Sequence, residues 1–409
     1  MRTLLTVITT VFFSCATWAY PLDGYNYTGI KRLEGYRLVQ KKKIRGNFVP
    51  RGSRMKMRNV RLRLHNNNFE LPKTDPVFTK KIVDLLGEDK DKYGIAILDL
   101  SRLDKIAYAE YNANRHITPA SVGKVAVVTA IFNELAKHYP GDTGSRERIL
   151  RTATVTADRF IKRDTHQVPF WEKGQKEVSY RELRIGDKAS LWTFMDWMLS
   201  ASSNAAASMV VKNAILLNHF GKRYPVDDKK KSLTQIFQRS MTEGLKKSGI
   251  NTEKFRQGSF FTRGGKNAVP GFGSRATARE LMRYLLYLEQ GRIIDVFSSR
   301  EIKRLLYMTQ GRIRYASHAV LDKSALYFKS GSIYRCYTDK KKPCKKYQGT
   351  KLNILNSIAI IETPARKRPK LFYMVVVTSN ILNKHSPTEH HNLALKVHRL
   401  IQQRYRDNR

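Results

Sequence analysis

The sequence predicts an α+β fold. Three observations carry that expectation. Apolar or β-branched runs of strand length occur near both ends of the chain, long stretches of helical periodicity lie between them, and the chain closes on one more amphipathic helix. One antiparallel sheet assembled from both termini, flanked by helices and interrupted by an all-helical subdomain at about 140–275, fits that order.

Taken in order, residues 20–72 form a basic N-terminal extension carrying Lys41-Lys42-Lys43, Arg51, Arg54, Lys56, Arg58, Arg61 and Arg63. Within it Val60, Leu62 and Leu64 alternate with Arg61, Arg63 and His65, the pattern of a short strand. A loosely ordered, solvated arm and a tether to an anionic surface are both compatible with the rest of it. After Pro72 a globular domain, 73–409, begins. Phe78–Leu86 has helical spacing, Gly94–Leu100 is a buried strand, and Lys105–Tyr111 pairs with it as a hairpin. Ser121–Ala136 is a long apolar helix entered just after Pro119. Residues 140–190 are polar and mixed. Helices follow at Leu191–Leu199, Asn204–Leu217, Leu233–Lys247, Thr277–Glu289 and Ser299–Met308, with a charged loop at 221–232 and a glycine-rich loop at Gly258–Gly273. Ala325–Phe328, Ile354–Ile361 and Leu371–Thr378 are strands, and Thr388–Arg404 is the closing helix.

With 409 residues, of which 41% are hydrophobic and 27% charged, the chain is long enough for one large or two ordinary domains. Its net charge of +42 attracts anionic polymers and surfaces. Met1-Arg2, an apolar stretch over 4–15, and small residues around Thr17-Trp18-Ala19 match a signal peptide over 1–19 that is too short to span a membrane. An uncleaved anchor and a lipid-modified Cys15 are the alternatives. The expected location is therefore the periplasm or cell envelope, where anionic cell-wall polymers or membrane surfaces are the natural partners of the charge. Nucleic acid is not expected as a partner, since no zinc-finger spacing, RNA-binding aromatic motif or basic zipper is present. Beyond Cys15, the chain holds Cys336 and Cys344, which in an oxidising compartment close a small loop around Lys340-Lys341-Lys342-Pro343; two free thiols are the alternative. His385, His390 and His391 read as surface or capping residues rather than metal ligands, and neither a metal nor a cofactor is expected.

The chemistry lies in three short strings. Ser121-Val-Gly-Lys124 places a hydroxyl and an amine three residues apart at the head of an apolar helix, on one face. A serine needs a base to become a nucleophile, and a lysine serves as one only when burial lowers its pKa, which Val125-Ala126-Val127-Val128 favours. Backbone N–H groups at a helix start also suit a developing oxyanion. Ser202-Ser203-Asn204 sits at a helix–helix junction, where such residues are ordinary caps; Ser202 could also relay a proton, and the Asn204 amide could hold a substrate carbonyl or the lysine. Lys329-Ser330-Gly331-Ser332 follows a strand-length run, presenting a cation and hydroxyls to a substrate carboxylate, with Gly331 admitting the substrate close to the backbone and the Ser332 N–H as an oxyanion donor. Decoys of the first and third strings, Ser53-Arg54-Met55-Lys56 and Lys247-Ser248-Gly249, lack an apolar helix and a strand respectively.

In this order the three strings resemble the motifs of the penicillin-recognising serine enzymes, the class A β-lactamases and the D,D-peptidases called penicillin-binding proteins. Gly186–Val211 is similar to the stretch around the second motif, and Pro270-Gly271 with Ser274–Leu281 to the segment after the omega loop. The resemblance implies a β-lactamase-like fold over about 75–405, Ser121 as acylated nucleophile, Lys124 as its base, Ser202 as proton relay, Asn204 on the substrate amide, Lys329 and Ser330 on its carboxylate, and Ser332 completing the oxyanion hole. The substrates would be β-lactams or D-alanyl cell-wall peptides. The stretch matching the omega loop, Phe261–Gly271, contains no carboxylate, although Asn267 matches its asparagine; Glu253 lies upstream. Slow deacylation of the acyl-enzyme is the consequence expected. A non-catalytic binding protein for anionic wall polymers is the alternative function.

Overall fold

The computed structural model describes residues 23–225, 234–309, 312–337, 344–365 and 368–408. The expected leader at 1–19, most of the charged loop at 221–232, and Lys340–Pro343 lie outside the described residues.

The chain begins with two helices, α1 (Tyr25–Thr28) and α2 (Lys31–Gln40). Helix α3 (Pro76–Leu86) starts where Asp75 accepts the Phe78 N–H and Pro76 supplies a ready-made φ. Strands β1 (Tyr93–Asp99) and β2 (Ala107–Tyr111) form the expected hairpin. Next come α4 (Lys124–His138) and α5 (Thr143–Thr152), then β3 (Thr154–Thr156), β4 (Gln167–Phe170), β5 (Ser179–Glu182) and β6 (Lys188–Ser190). Five helices follow: α6 (Leu191–Ser200), α7 (Asn204–Phe220), α8 (Thr234–Lys247), α9 (Arg263–Ala268) and α10 (Ala278–Glu289). After α11 (Val296–Tyr307) the chain returns to strands β7 (Ala325–Arg335), β8 (Leu352–Thr363) and β9 (Leu371–Asn380), and α12 (Ser386–Asp407) ends it.

The main sheet runs β2-β1-β9-β8-β7, antiparallel throughout, so both ends of the sequence supply it as expected. Both faces are covered. Ile95, Ile97, Val375 and Val377 point to a core shared with α3 and α12, whereas Ala96, Leu98, Met374 and Val376 point to the larger core that holds α4, α6, α7 and α10. Burial on two faces is why these strands read as continuous apolar runs rather than alternating ones. Helix α4 is the axis of the helical region, with every residue from Lys124 to Leu135 buried.

Two expectations are corrected here. The subdomain at 140–275 is not all-helical: β3 pairs with β6, and β4 with β5, as small antiparallel ribbons. Strands of three or four half-polar residues are too short for periodicity to reveal. The basic extension is neither loose nor stranded at Val60–Leu64. Ile30, Leu33, Val60 and Leu64 are fully buried, and the segment is threaded onto the domain by specific bonds. The Met55 N–H donates to the Tyr307 hydroxyl (3.0 Å), and the Gly52 N–H to Asp322 (2.7 Å). Arg63 reaches Glu362 (2.7 Å), which also accepts from the buried Lys303 (2.7 Å). The cations at Lys41–Lys43, Arg51, Arg58 and Arg61 stay exposed.

The Arg32–Asp196 pair, joining α2 to α6 at 2.6 Å, is almost completely buried. Arg32→Ala should cost about 3–5 kcal/mol of stability in chemical denaturation, because Asp196 would stay buried without its cation; a loss below about 1 kcal/mol would show that the arm is not clamped there. At the other end of the fold, β7 passes so close to the head of α4 that a Cβ on Gly331 would lie 2.3 Å from the Ser121 nitrogen. Gly331→Ala should therefore push β7 from α4 and lower both melting temperature and acylation by a β-lactam; wild-type values for both would contradict the contact.

Candidate active site

The head of α4 differs from the expected continuous helix. Ala120–Gly123 is a 3-10 turn, and α4 begins at Lys124. In a 3-10 turn residues i and i+3 eclipse, so Ser121 and Lys124 stack directly. The Lys124 Nζ lies 3.1 Å from the Ser121 Oγ. It also lies 2.6 Å from the Ser202 carbonyl oxygen and 2.9 Å from the Asn204 Oδ1. Between them, a Cβ on Gly123 would sit 2.0 Å from the Gln257 Oε1, so any larger residue there would have to displace that side chain.

Lys124 is fully buried, and burial brings its pKa down to about 7, with Arg314 adding to the depression and Asp164 opposing it. The Phe261 ring, centred 5.0 Å from the ammonium, helps to close this side. In its neutral form the amine has two hydrogens and one lone pair. A carbonyl and an amide oxygen, which can only accept, take the hydrogens. The lone pair is left for a hydroxyl, and the Ser121 Oγ at 3.1 Å is nearer than the Ser202 Oγ at 3.4 Å.

Ser202 has φ +58°, a left-handed conformation uncommon for serine, which turns its carbonyl onto Lys124. Its hydroxyl accepts from Lys329 Nζ at 2.9 Å. Ser203 is the N-cap of α7, its Oγ 3.1 Å from the Ala206 nitrogen, so the capping role belongs to the middle residue of the string and leaves its neighbours for the cleft. On β7, the outer strand of the sheet, Lys329 is buried, and desolvation together with Lys124 and Arg314 holds its pKa well below the usual lysine value. All eight predicted site residues converge. Ser121, Ser202, Asn204, Lys329, Ser330 and Ser332 line a cleft of about 510 Å³, Lys124 is fully buried against Ser121, Ser202 and Asn204, and Gly331 packs on the head of α4. Gly331 has a structural role that its place in the third string does not reveal: its missing side chain makes room for the Ser121 backbone.

Several cleft residues were not foreseen. Arg314, with φ +58°, donates to the Ser330 Oγ (2.9 Å) and the Ser332 Oγ (2.8 Å), binding both hydroxyls of the third string into one cationic patch. Among 76 Lys and Arg residues it has no sequence signal of its own. Asp164 accepts from Ser203 Oγ (3.0 Å), the Ala205 N–H (2.7 Å) and His166 Nδ1 (2.6 Å). Burial would raise its pKa, but the His166 contact and these backbone N–H groups win and hold it at about 2. His166 lines the cleft. Tyr334, Lys346 and Tyr347 form the rim beside Arg314. Cys336 and Cys344 are joined as a disulfide, closing the expected loop next to that rim.

Other singled-out residues stay outside. Asn267 is exposed on α9, and Glu253 pairs with Arg256 at 2.7 Å on the surface. His390, read as a surface or capping residue, is instead fully buried between Ser357 Oγ (3.0 Å) and Ser379 Oγ (2.9 Å), and burial drives its pKa down to about 3.

The sequence model of the beta-lactamase enzyme family matches residues 77–403. No curated protein sequence is significantly similar to the chain. Among solved structures, TLA-1 extended-spectrum beta-lactamase superposes with a TM-score of 0.53 at 13% identity, covering 80% of this chain and 98% of that one. A beta-lactamase from Sphaerobacter thermophilus gives 0.52 at 14% identity, with 79% and 97% covered. PBP-A, in a leucine-to-glutamate mutant held as an acyl-enzyme complex with penicillin G, gives 0.52 at 12% identity, with 81% and 100% covered. At these identities the structures establish a shared fold; with a family match that spans most of the sequence, the chain belongs to the beta-lactamase enzyme family.

Proposed function

We propose that the protein is an exported serine hydrolase that forms an acyl-serine intermediate with β-lactams or D-alanyl cell-wall peptides and releases it slowly. The observation that carries this reading is the buried Lys124 amine, 3.1 Å from the Ser121 hydroxyl, with two acceptor oxygens, the Ser202 carbonyl and the Asn204 Oδ1, as its shortest contacts.

In the proposed reaction neutral Lys124 takes the Ser121 proton as Oγ attacks the substrate carbonyl. The oxyanion is received by the backbone N–H groups of Ser121 and Ser332, a role supported by the close passage of β7 at Gly331 over the Ser121 backbone. The Ser202 hydroxyl, polarised by Lys329, passes a proton to the leaving nitrogen or oxygen. The substrate carboxylate sits among Lys329, Ser330, Ser332 and Arg314, and the Asn204 side-chain N–H₂, whose partner oxygen is engaged by Lys124, binds the acyl-side carbonyl. Slow release is supported by the absence of any carboxylate from Phe261–Gly271 and by the position of the Phe261 ring against Lys124. Export is supported by the leader-like residues 1–19 and by the disulfide, which an oxidising compartment preserves. The net charge of +42 and the exposed arm cations support association with an anionic wall or membrane surface.

Intact-mass spectrometry after mixing with a penicillin tests the reading. A single adduct that maps to Ser121 and persists for minutes is expected. Lys124→Ala should slow its formation at least about 100-fold. No adduct on the wild-type protein with either a penicillin or a D-alanyl ester would sink the enzyme reading and favour a binding role. The acylation rate should also rise with pH through about 7 and level off above it, since the base acts unprotonated and its pKa is lowered to that value. A flat profile between roughly pH 5.5 and 8.5 would remove Lys124 as the base.

A further inference from the structure

The rim of the cleft carries an arrangement that a single substrate carboxylate does not account for. Among the described residues, the cleft is lined by the cations Lys329, Arg314 and Lys346 and by no Asp or Glu. Lys329 and Arg314 converge on the third string, where one carboxylate would sit. Lys346 does not reach that string. It lies instead over the Tyr347 ring, 5.3 Å from its centre, and the Arg314 guanidinium lies 5.3 Å from the centre of the same ring.

Both cations thus border the same ring, and the local backbone is specific to that arrangement. Tyr347 has φ +62° and Arg314 has φ +58°, both costly for residues with a Cβ. The Tyr347 carbonyl accepts from the Ser386 N–H at the start of α12 (3.1 Å), and its ring meets Tyr334 edge to face, 5.7 Å between centres. The Cys336–Cys344 disulfide ties the end of β7 to the segment that carries Lys346 and Tyr347. Lys346, on a rim stapled in place, borders a cleft that also holds Arg314 and whose described lining offers it no acid, so it is placed for an anion in that cleft.

We infer that Lys346, Tyr347 and Arg314 form a second anion subsite beside the carboxylate pocket, and that the preferred substrate has a leaving group bearing two carboxylates. This rests on the acyl-serine reading above. In that reaction the Ser121 Oγ bonds to the acyl carbon, the bond from that carbon to the leaving oxygen or nitrogen breaks, and the leaving group departs with the proton relayed through Ser202. Water then cleaves the acyl-serine ester. The first carboxylate of the leaving group stays on Lys329, Ser330 and Arg314 during this exchange, and the second spans Arg314 and Lys346.

Three phenylacetylglycyl esters test the inference on the full chain: one of (R)-lactate, with a single carboxylate, one of (R)-malate, with two, and one of the β-amide of (R)-malate, which matches malate in size without its second charge. The malate ester should show a kcat/KM roughly fivefold or more above the β-amide ester, and the preference should shrink as salt is added. Lys346→Gln should bring that ratio close to one. A wild-type ratio within about twofold of one, or a high ratio that Lys346→Gln leaves intact, would refute the subsite while the lactate ester still acylates Ser121. Failure of all three esters to form an adduct on Ser121 is a different result: it overturns the acyl-serine reading, and the subsite with it.

Discussion

The site depends on one constraint, the burial of an amine without a carboxylate beside it. A charged ammonium in the interior is costly unless an acid pairs with it, and the contacts of Lys124 are a carbonyl, an amide oxygen and two hydroxyls. The protein can meet that cost by letting the amine lose its proton near neutrality, which is the state a base requires. The surrounding architecture serves this arrangement. Helix α4 is dry from Lys124 to Leu135, the 3-10 turn stacks serine on lysine, and a strained Ser202 turns its carbonyl inward. Asp164 is occupied by Ser203, Ala205 and His166 and acts on Lys124 through space.

The second structural theme is the extra material around the family core. Residues 23–72 are threaded over α6, α10 and α11 by buried ion pairs and backbone bonds, and so form part of the folded unit. The ribbon β4–β5 and the segment before it bring Thr165, His166 and Gln167 to one wall of the cleft, and the disulfide-closed hairpin after β7 brings Tyr334, Lys346 and Tyr347 to another. Additions that reach the cleft change what it admits without altering the groups at its centre. A lining rich in cations and lacking acids among the described residues matches the sign of the whole chain.

What the sequence by itself determined was local and periodic. The five main strands, the helices from α3 to α12 outside the mixed region other than α9, which lies in the stretch expected as a glycine-rich loop, and the three strings that meet in the cleft were legible, because apolar runs buried on two faces and motifs of adjacent residues are written in consecutive letters. Tertiary structure alone decided the rest. The arm is held by contacts spanning more than a hundred residues, such as Arg32 with Asp196, and such contacts leave no periodicity to read. Arg314 becomes distinct from the other basic residues only when a left-handed turn aims it at Ser330 and Ser332. That Gly331 makes room for the Ser121 backbone is also a matter of which surface a strand passes. The depressed pKa of Lys124 likewise comes from the full enclosure that packing provides, of which the four apolar letters after it describe only one side.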